Sequence, residues 1–343
     1  MVCVLVFASV LSLSSCGKKY VGEVTFQHWG ECFDESLIDE FEKKTNIKVN
    51  FSTYDSNETL YSKLKMGGMD ADLIVPSDYM IDRLRDEGML EKLDYSNIPN
   101  YVNILTTKEY EGIPFEAKND YYVPYSWGTV GIIYNTKMVD DVVDSWSILW
   151  NEKYAKQILM FDNSRDTFGI ALKKLGYSYN TTNEKEIENA FEELKKQKPL
   201  VQAYVMDQIF DRLEMGEQAM GVYYAGDYLA MKEENEDLAY CLPKEGTNIF
   251  YDGFVIPKGA KNKKEAEMLI NFLLEKESAK KNMDMTYYAT PNKLLYNELP
   301  EEIKNDGVIF PSPAYLKTST EMYKNLPKEI LEKYDKLWAE LFQ

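Results

Sequence analysis

Apolar positions in the first part of the chain switch repeatedly between two periods. Val24 and Phe26 alternate with polar neighbours, as along a strand, whereas Leu37, Ile38 and Phe41 recur at helical spacing. Alternation returns at Ile47, Val49 and Phe51. Ser56 or Asn57 then stands where a helix needs its cap, ahead of Leu60, Tyr61 and Leu64. The run from Asp72 to Val75 is a short buried strand stopped by Pro76, and a helix carrying Ile81 and Leu84 follows. This β-α-β-α-β order predicts a parallel sheet with right-handed crossovers. A second α/β stretch starts near residue 130. It holds helices marked by Ile187, Ala190, Phe191 and Leu194 and by Ile209 and Leu213, with strands near Met220–Tyr224 and Phe250–Ile256. Amphipathic helices close the chain, one through Ala266, Leu269, Ile270 and Leu273, the other from Ile330 to Leu341. No Pro/Gly/Ser-rich linker divides the halves. The pattern therefore predicts two α/β lobes joined by short strand crossovers, residues 20–129 with 253–311 forming one and 130–252 with 312–343 the other.

The N-terminus follows a different rule. Residues 2–13 are uncharged and apolar, the length of a signal-peptide core and too short for a membrane span. The sequence Leu13-Ser14-Ser15-Cys16 closing that run reads as a bacterial lipobox. Residues 1–15 are then an export signal, Cys16 carries the lipid and residues 16–19 are a tether. No Lys or Arg precedes the apolar run, as one usually does; a buried strand is the alternative, and Gly17-Lys18-Lys19 argue against it. All 39 basic and 57 acidic residues lie beyond this segment, so the net charge of −18 belongs to the remaining chain. An acidic surface of that kind repels nucleic acid and anionic lipid, which leaves the anchor as the only expected meeting with a membrane. Cys32 and Cys241 are expected to stay free. The single histidine, His28, argues against a His-rich metal site or a His-based triad.

In open α/β sheets, ligands sit beyond the carboxyl ends of the strands. The predicted strand ends share one composition, an aromatic beside a carboxylate: His28-Trp29-Gly30-Glu31, Ser77-Asp78-Tyr79, Tyr223-Tyr224-Ala225-Gly226-Asp227 and Phe250-Tyr251-Asp252. Asp162-Asn163-Ser164-Arg165-Asp166 adds carboxylates before a helix, and Tyr287-Tyr288 adds aromatics. Singly, each has an ordinary structural explanation: Trp29 and Phe250 as core, Asp166 and Asp227 as helix caps. Together they describe a ligand. Aromatic faces attract cations and carboxylates bind ammonium groups. Several carboxylates in one cleft demand several positive charges, because unpaired buried charge is costly. Flat aromatic walls between them suit the methylene segments of a linear polyamine.

From about Val24 to the C-terminus the chain resembles the spermidine/putrescine-binding proteins of ATP-driven importers. The stretches that carry the likeness include Ser52-Thr53-Tyr54-Asp55-Ser56-Asn57-Glu58, Asp72-Leu73-Ile74-Val75-Pro76-Ser77, Pro124-Tyr125-Ser126-Trp127-Gly128 and Pro243-Lys244-Glu245-Gly246. The resemblance implies a bilobal type II periplasmic-binding-protein fold, no cofactor, no metal, and a monomer working with a permease and its ATPase. It implies Trp29 as an aromatic wall, Glu31 as a direct or water-mediated carboxylate, and Ser77 and Tyr79 as polar contacts to an amine end. Asp166 stands where the family has a glutamate, Asp252 matches the main ammonium-binding aspartate with Phe250 beside it, and Tyr288 matches the opposing tyrosine. Other positions depart from the pattern: Cys32 and Tyr224 replace a tyrosine and a tryptophan, Asn163 an aspartate, and Lys324 a glutamine near the amine site. Asp227 and Phe250 look instead like putrescine-preferring members, which leaves diamine against triamine open.

Two other functions stay in view. A ferric-ion-binding protein of the same fold would use tyrosine pairs such as Tyr121-Tyr122, Tyr223-Tyr224 and Tyr287-Tyr288 with Glu31, yet it has no use for alternating aromatics and carboxylates. An enzyme would rest on Cys32, but surrounding carboxylates would raise the thiol pKa rather than activate it. No G-x-S-x-G, phosphate loop or CxxC is present.

Overall fold

A computed structural model describes residues 20–30 and 33–343. The export signal, Cys16, Glu31 and Cys32 lie outside the described residues. The chain opens with strand β1 (Gly22–Trp29), helix α1 (Ser36–Thr45), β2 (Ile47–Tyr54), α2 (Asn57–Lys65), the two-residue β3 (Leu73–Ile74) and α3 (Asp78–Asp86). The α1 helix buries Leu37 and Phe41 on one face and ends at Asn46, whose left-handed φ of 58° stops it. At the start of α2 the Ser56 side chain accepts the Thr59 N–H at 3.1 Å, so Ser56 rather than Asn57 is the cap. Both β2 and β3 pair with β1 in parallel, as the β-α-β-α-β pattern predicts.

Next comes β4 (Tyr122–Asn135), the longest strand, followed by β5 (Ile158–Phe161), α4 (Ser164–Lys174), α5 (Glu184–Gln197), β6 (Val201–Val205) and α6 (Ile209–Glu214). Then follow β7 (Met220–Tyr224), α7 (Ala225–Glu234), β8 (Leu238–Cys241) and β9 (Thr247–Val255). The C-terminal part contains α8 (Lys263–Leu273), α9 (Lys276–Thr286), α10 (Lys293–Glu298), α11 (Glu301–Lys304), α12 (Pro313–Ser319), β10 (Thr320–Glu321) and α13 (Lys328–Leu341). The main strand order is β2-β1-β3-β9-β4-β7-β5-β6.

Two strands hold the two ends of this sheet together. The first half of β4 pairs antiparallel with β9, Tyr122 opposite Val255 through Thr129 opposite Ile249. Its second half pairs with β7 and β8. The β4–β9 register slips between Pro124 and Ser126, where proline has no N–H to donate. Buried side chains separate accordingly. Trp127 belongs to a core with Phe26, Phe41, Ile81, Phe254 and Ile270, whereas Val130 belongs to another with Trp146, Phe161, Met220 and Val222. A third cluster, Phe168, Ile187, Leu194 and Tyr334 among it, seats α13 on α4 and α5. The chain crosses once more between Leu316, in the first core, and Leu326, in the third cluster. Among the described residues no helix is long and apolar enough to cross a membrane.

Candidate functional site

The strand ends that face each other across this junction carry the candidate residues. Ser77 leads into α3, and its hydroxyl donates to Asp252 Oδ1 at 2.8 Å; the two residues also form an isolated antiparallel bridge. Phe250 lies two positions earlier on the same face of β9. Its ring meets Tyr224 at 5.4 Å and Tyr288 at 6.0 Å, both edge-on. The Tyr288 hydroxyl donates to Asp227 Oδ2 at 2.9 Å, which joins the segment after α9 to the first turn of α7. Asp166 sits at the start of α4 and accepts from Tyr323 at 3.0 Å, from Asn163 Nδ2 at 2.8 Å and, at 3.4 Å, from Tyr224. Tyr79 packs against Tyr323 with ring centroids 6.3 Å apart; its hydroxyl donates to Glu58 at 2.9 Å and accepts from Asn57 at 3.1 Å. Tyr79, Asp166, Tyr224, Phe250, Asp227 and Tyr288 thus form one connected group, with the Ser77–Asp252 pair beside it. Trp29 closes β1, packs against Tyr54 with ring centroids 4.7 Å apart and tilted by 58°, and its buried Nε1 has no hydrogen-bond partner among the described residues.

Gly128, on β4 between the two cores, makes room for this aromatic group. A Cβ there would stand 3.2 Å from both Phe250 Cζ and Tyr288 Cδ1, closer than nearly all real contacts. Glycine lets both rings lie on the strand.

The carboxyls are electrostatically unusual. Asp252 keeps some exposure to solvent but is packed deep in protein; burial pushes its pKa up to about 7, against a smaller opposing pull from the Ser77 hydroxyl. Asp227 is also raised to about 7, chiefly by burial, with Tyr288 opposing and Asp207 reinforcing. Asp166 is raised by burial too, tempered by Asn163, Tyr323 and the nearby Arg165. Neither Asp227 nor Asp252 forms an ion pair with a Lys, Arg or His among the described residues. Each accepts from a neutral hydroxyl, and no cationic side chain among the described residues pairs with it.

Several details differ from what the sequence suggested. Asp166 and Asp227 are not helix caps: Asn163 and Tyr224 hold those positions, and the aspartates fall in the first turn, where the helix dipole favours negative charge. Lys324, by contrast, is exposed, as expected of a lysine that would repel an amine if it faced the cleft, and its backbone N–H is tied to Asn180. The neighbouring Tyr323 is the residue that reaches Asp166. It escaped sequence reasoning because it lies on an irregular segment after the two-residue β10, although Glu321-Met322-Tyr323 repeats the aromatic-carboxylate composition. Arg165 lies over its ring at 4.7 Å. The adjacent Tyr223 and Tyr224 send their hydroxyls to different carboxylates, Asp207 and Asp166.

Comparison with known proteins places this geometry. The model of the bacterial extracellular solute-binding protein family matches residues 36–311. The spermidine/putrescine-binding periplasmic protein of Salmonella typhimurium is 40% identical over 306 residues, 89% of this chain and 87% of that protein. A structure described as a putative spermidine/putrescine ABC transporter from Listeria monocytogenes superposes with a TM-score of 0.86 at 39% identity, covering 94% of this chain and 99% of the other. A Treponema pallidum lipoprotein superposes at 0.82 with 28% identity, covering 94% and 100%. These likenesses share the bilobal type II periplasmic-binding-protein fold, and the chain belongs to the bacterial extracellular solute-binding protein family, grouped there with the spermidine/putrescine-binding proteins.

Proposed function

We propose that the protein captures a polyamine, putrescine or spermidine, in the cleft between its two cores and delivers it to a membrane permease driven by an ATPase. The observation that carries this reading is the pair Asp227 and Asp252, deeply packed carboxyls each accepting from a hydroxyl and without a counter-ion among the described residues. A ligand with two ammonium groups supplies both missing charges. Phe250, Tyr224 and Tyr288 line the space for its methylenes, and Trp29, Glu31, Ser77, Tyr79 and Asp166 extend the site. Names given to relatives support the ligand class.

The lobe division at 20–129 with 253–311 and 130–252 with 312–343 is part of the same reading. Partition of the buried side chains supports it, although Ile249, Tyr251 and Leu316 pack into the first core from beyond those edges. Lipid attachment at Cys16, on the outer side of the cytoplasmic membrane, rests on the Leu13–Cys16 sequence and on the lipoprotein relative. Labelling with a radioactive fatty acid, lost in Cys16→Ala, tests it.

Calorimetric titration with putrescine, spermidine and spermine tests the ligand. Binding of at least one of them with Kd below about 10 μM is expected; Kd above about 1 mM for all three would refute the proposal.

A further inference from the structure

One carboxylate outside the cleft holds the segment that returns the chain between Leu316 and Leu326. Glu321, in β10, gathers four donors from the end of α4 and the turn after it. Lys173 Nζ lies 2.9 Å from its Oε2 and the Tyr179 N–H 3.2 Å. Asn180 Nδ2 donates to its Oε1 at 3.0 Å, and the Ser178 hydroxyl donates there too. Asn180 also closes on the backbone, giving Nδ2 to the Met322 carbonyl at 2.7 Å and accepting the Lys324 N–H at 2.7 Å. Two residues on from Glu321, the Tyr323 hydroxyl stands 3.0 Å from Asp166 Oδ1 and 3.2 Å from the Arg165 carbonyl. Tyr179 meets the Tyr323 ring edge-on at 5.3 Å from the same side, whereas Tyr79 approaches from the first core at 6.3 Å. Gly169 in α4 leaves room for this arrangement, since a Cβ there would stand 2.7 Å from the Tyr323 hydroxyl.

We propose that Glu321 is a positioning residue of the ligand site: it clasps the returning segment to the end of α4, keeps the Tyr323 hydroxyl on Asp166, and touches no ligand itself. This inference rests on the cleft being the polyamine site. The segment has little else to fix it there. Its strand is two residues long, pairing Thr320 and Glu321 with Thr247 and Asn248 of β9, and Met322 packs instead against the first core. Bonds from a cation to a carboxylate are the strong ones, and Lys173 supplies one here. Two residues of chain span at most about 7 Å, so a shift of Glu321 passes to Tyr323 with little slack. Without the clasp, ligand binding would have to order Tyr323 as well, and that ordering is subtracted from affinity. A carboxylate that merely finished the turn after α4 would leave affinity unchanged.

The test is a double-mutant cycle of Glu321→Ala and Tyr323→Phe, read by calorimetric titration of the purified protein with putrescine and spermidine. Glu321→Ala should weaken the tighter ligand at least about fivefold, and the double variant should bind no more than about twofold worse than the weaker single variant. Losses that add, or an affinity of Glu321→Ala within about twofold of wild type, would overturn the proposal. Asn180→Ala opens the same clasp from its other side and should show the same pattern with Tyr323→Phe; it decides the matter if Glu321→Ala does not melt cooperatively. Glu193→Ala controls for general loosening of α4 and α5. The Glu193 side chain bonds Lys174 on α4 and Lys196, both at 2.6 Å, so its loss should leave affinity within about twofold whatever it does to stability. Equal weakening by Glu193→Ala and Glu321→Ala would overturn the proposal. Absence of binding in the wild type would instead remove the cleft reading, and this inference with it.

Discussion

Polyamine binding in the cleft should release protons. Asp227 and Asp252 are raised to about 7 because burial penalises their ionised forms and no described residue supplies a counter-charge. Carboxyls raised in the folded state stabilise it fully below their ordinary pKa, and that contribution is lost as pH rises through about 7. The ligand-free protein therefore becomes less stable between about pH 4 and 7. A diammonium ligand needs both groups ionised and removes the penalty. Each is about nine-tenths ionised at pH 8 and about one-tenth at pH 6, so affinity should fall about tenfold per carboxylate across that range, or about 100-fold for the pair. The amines themselves, with pKa values near that of lysine, stay charged throughout. Calorimetry at pH 6 in buffers of differing ionisation enthalpy counts the protons directly. The slope of observed enthalpy against buffer enthalpy should lie between one and two protons released per ligand. A slope near zero, with a Kd constant within twofold from pH 6 to pH 8, would refute the reasoning.

Asp252→Asn keeps the shape but strands an ammonium, a loss of about 3–5 kcal/mol, and calorimetry should show Kd rising by two to three orders of magnitude or more. Asp227→Ser frees the Tyr288 hydroxyl and should weaken putrescine more than spermidine; an unchanged ratio in competition assays would separate Asp227 from ligand choice. Tyr323→Phe removes one donor to Asp166 and should cost about 1.5–3 kcal/mol in affinity, read by the same titration. Gly128→Ala pushes a methyl against Phe250 and Tyr288 and should reduce affinity more than tenfold; a Kd within threefold would show that the rings yield freely. Saturating putrescine should lower the radius of gyration in small-angle scattering, because the proposed ligand contacts come from both cores.

Legibility in the sequence followed locality. The α1 and α2 helices and the β1 and β2 strands announce themselves because each buries one face against a single core, so apolar spacing equals structural period. No such spacing marks β4, whose positions 126–133 are buried on both faces, and a run buried on both sides, here with Ser126, Thr129 and two glycines in it, has no alternation to read. The β4–β9 pairing joins residues far apart in the chain and leaves no local trace. Site residues at strand ends could be listed by their aromatic-carboxylate composition, and most of them prove to be neighbours. What composition could not tell was partner choice: that Tyr288 rather than Tyr287 takes Asp227, or that Tyr323 reaches Asp166. Those outcomes depend on how the C-terminal segment returns across the molecule.

That return has a consequence for the order in which the molecule can be made. Ile74 on β3 is bonded to Val255 on β9, so the sheet of the first core has a gap in its middle until β9 has been synthesised. A nascent chain ending before Thr247 exposes the β3 edge and leaves the first half of β4 without its partner strand. Its early α/β units can form locally, but the core around Phe26, Trp127 and Phe254 cannot close. Folding of the first half is therefore tied to synthesis of β9 and beyond, whereas the second core, drawn from residues 130–238, can close earlier; until β9 arrives the first half remains a chain that can be threaded.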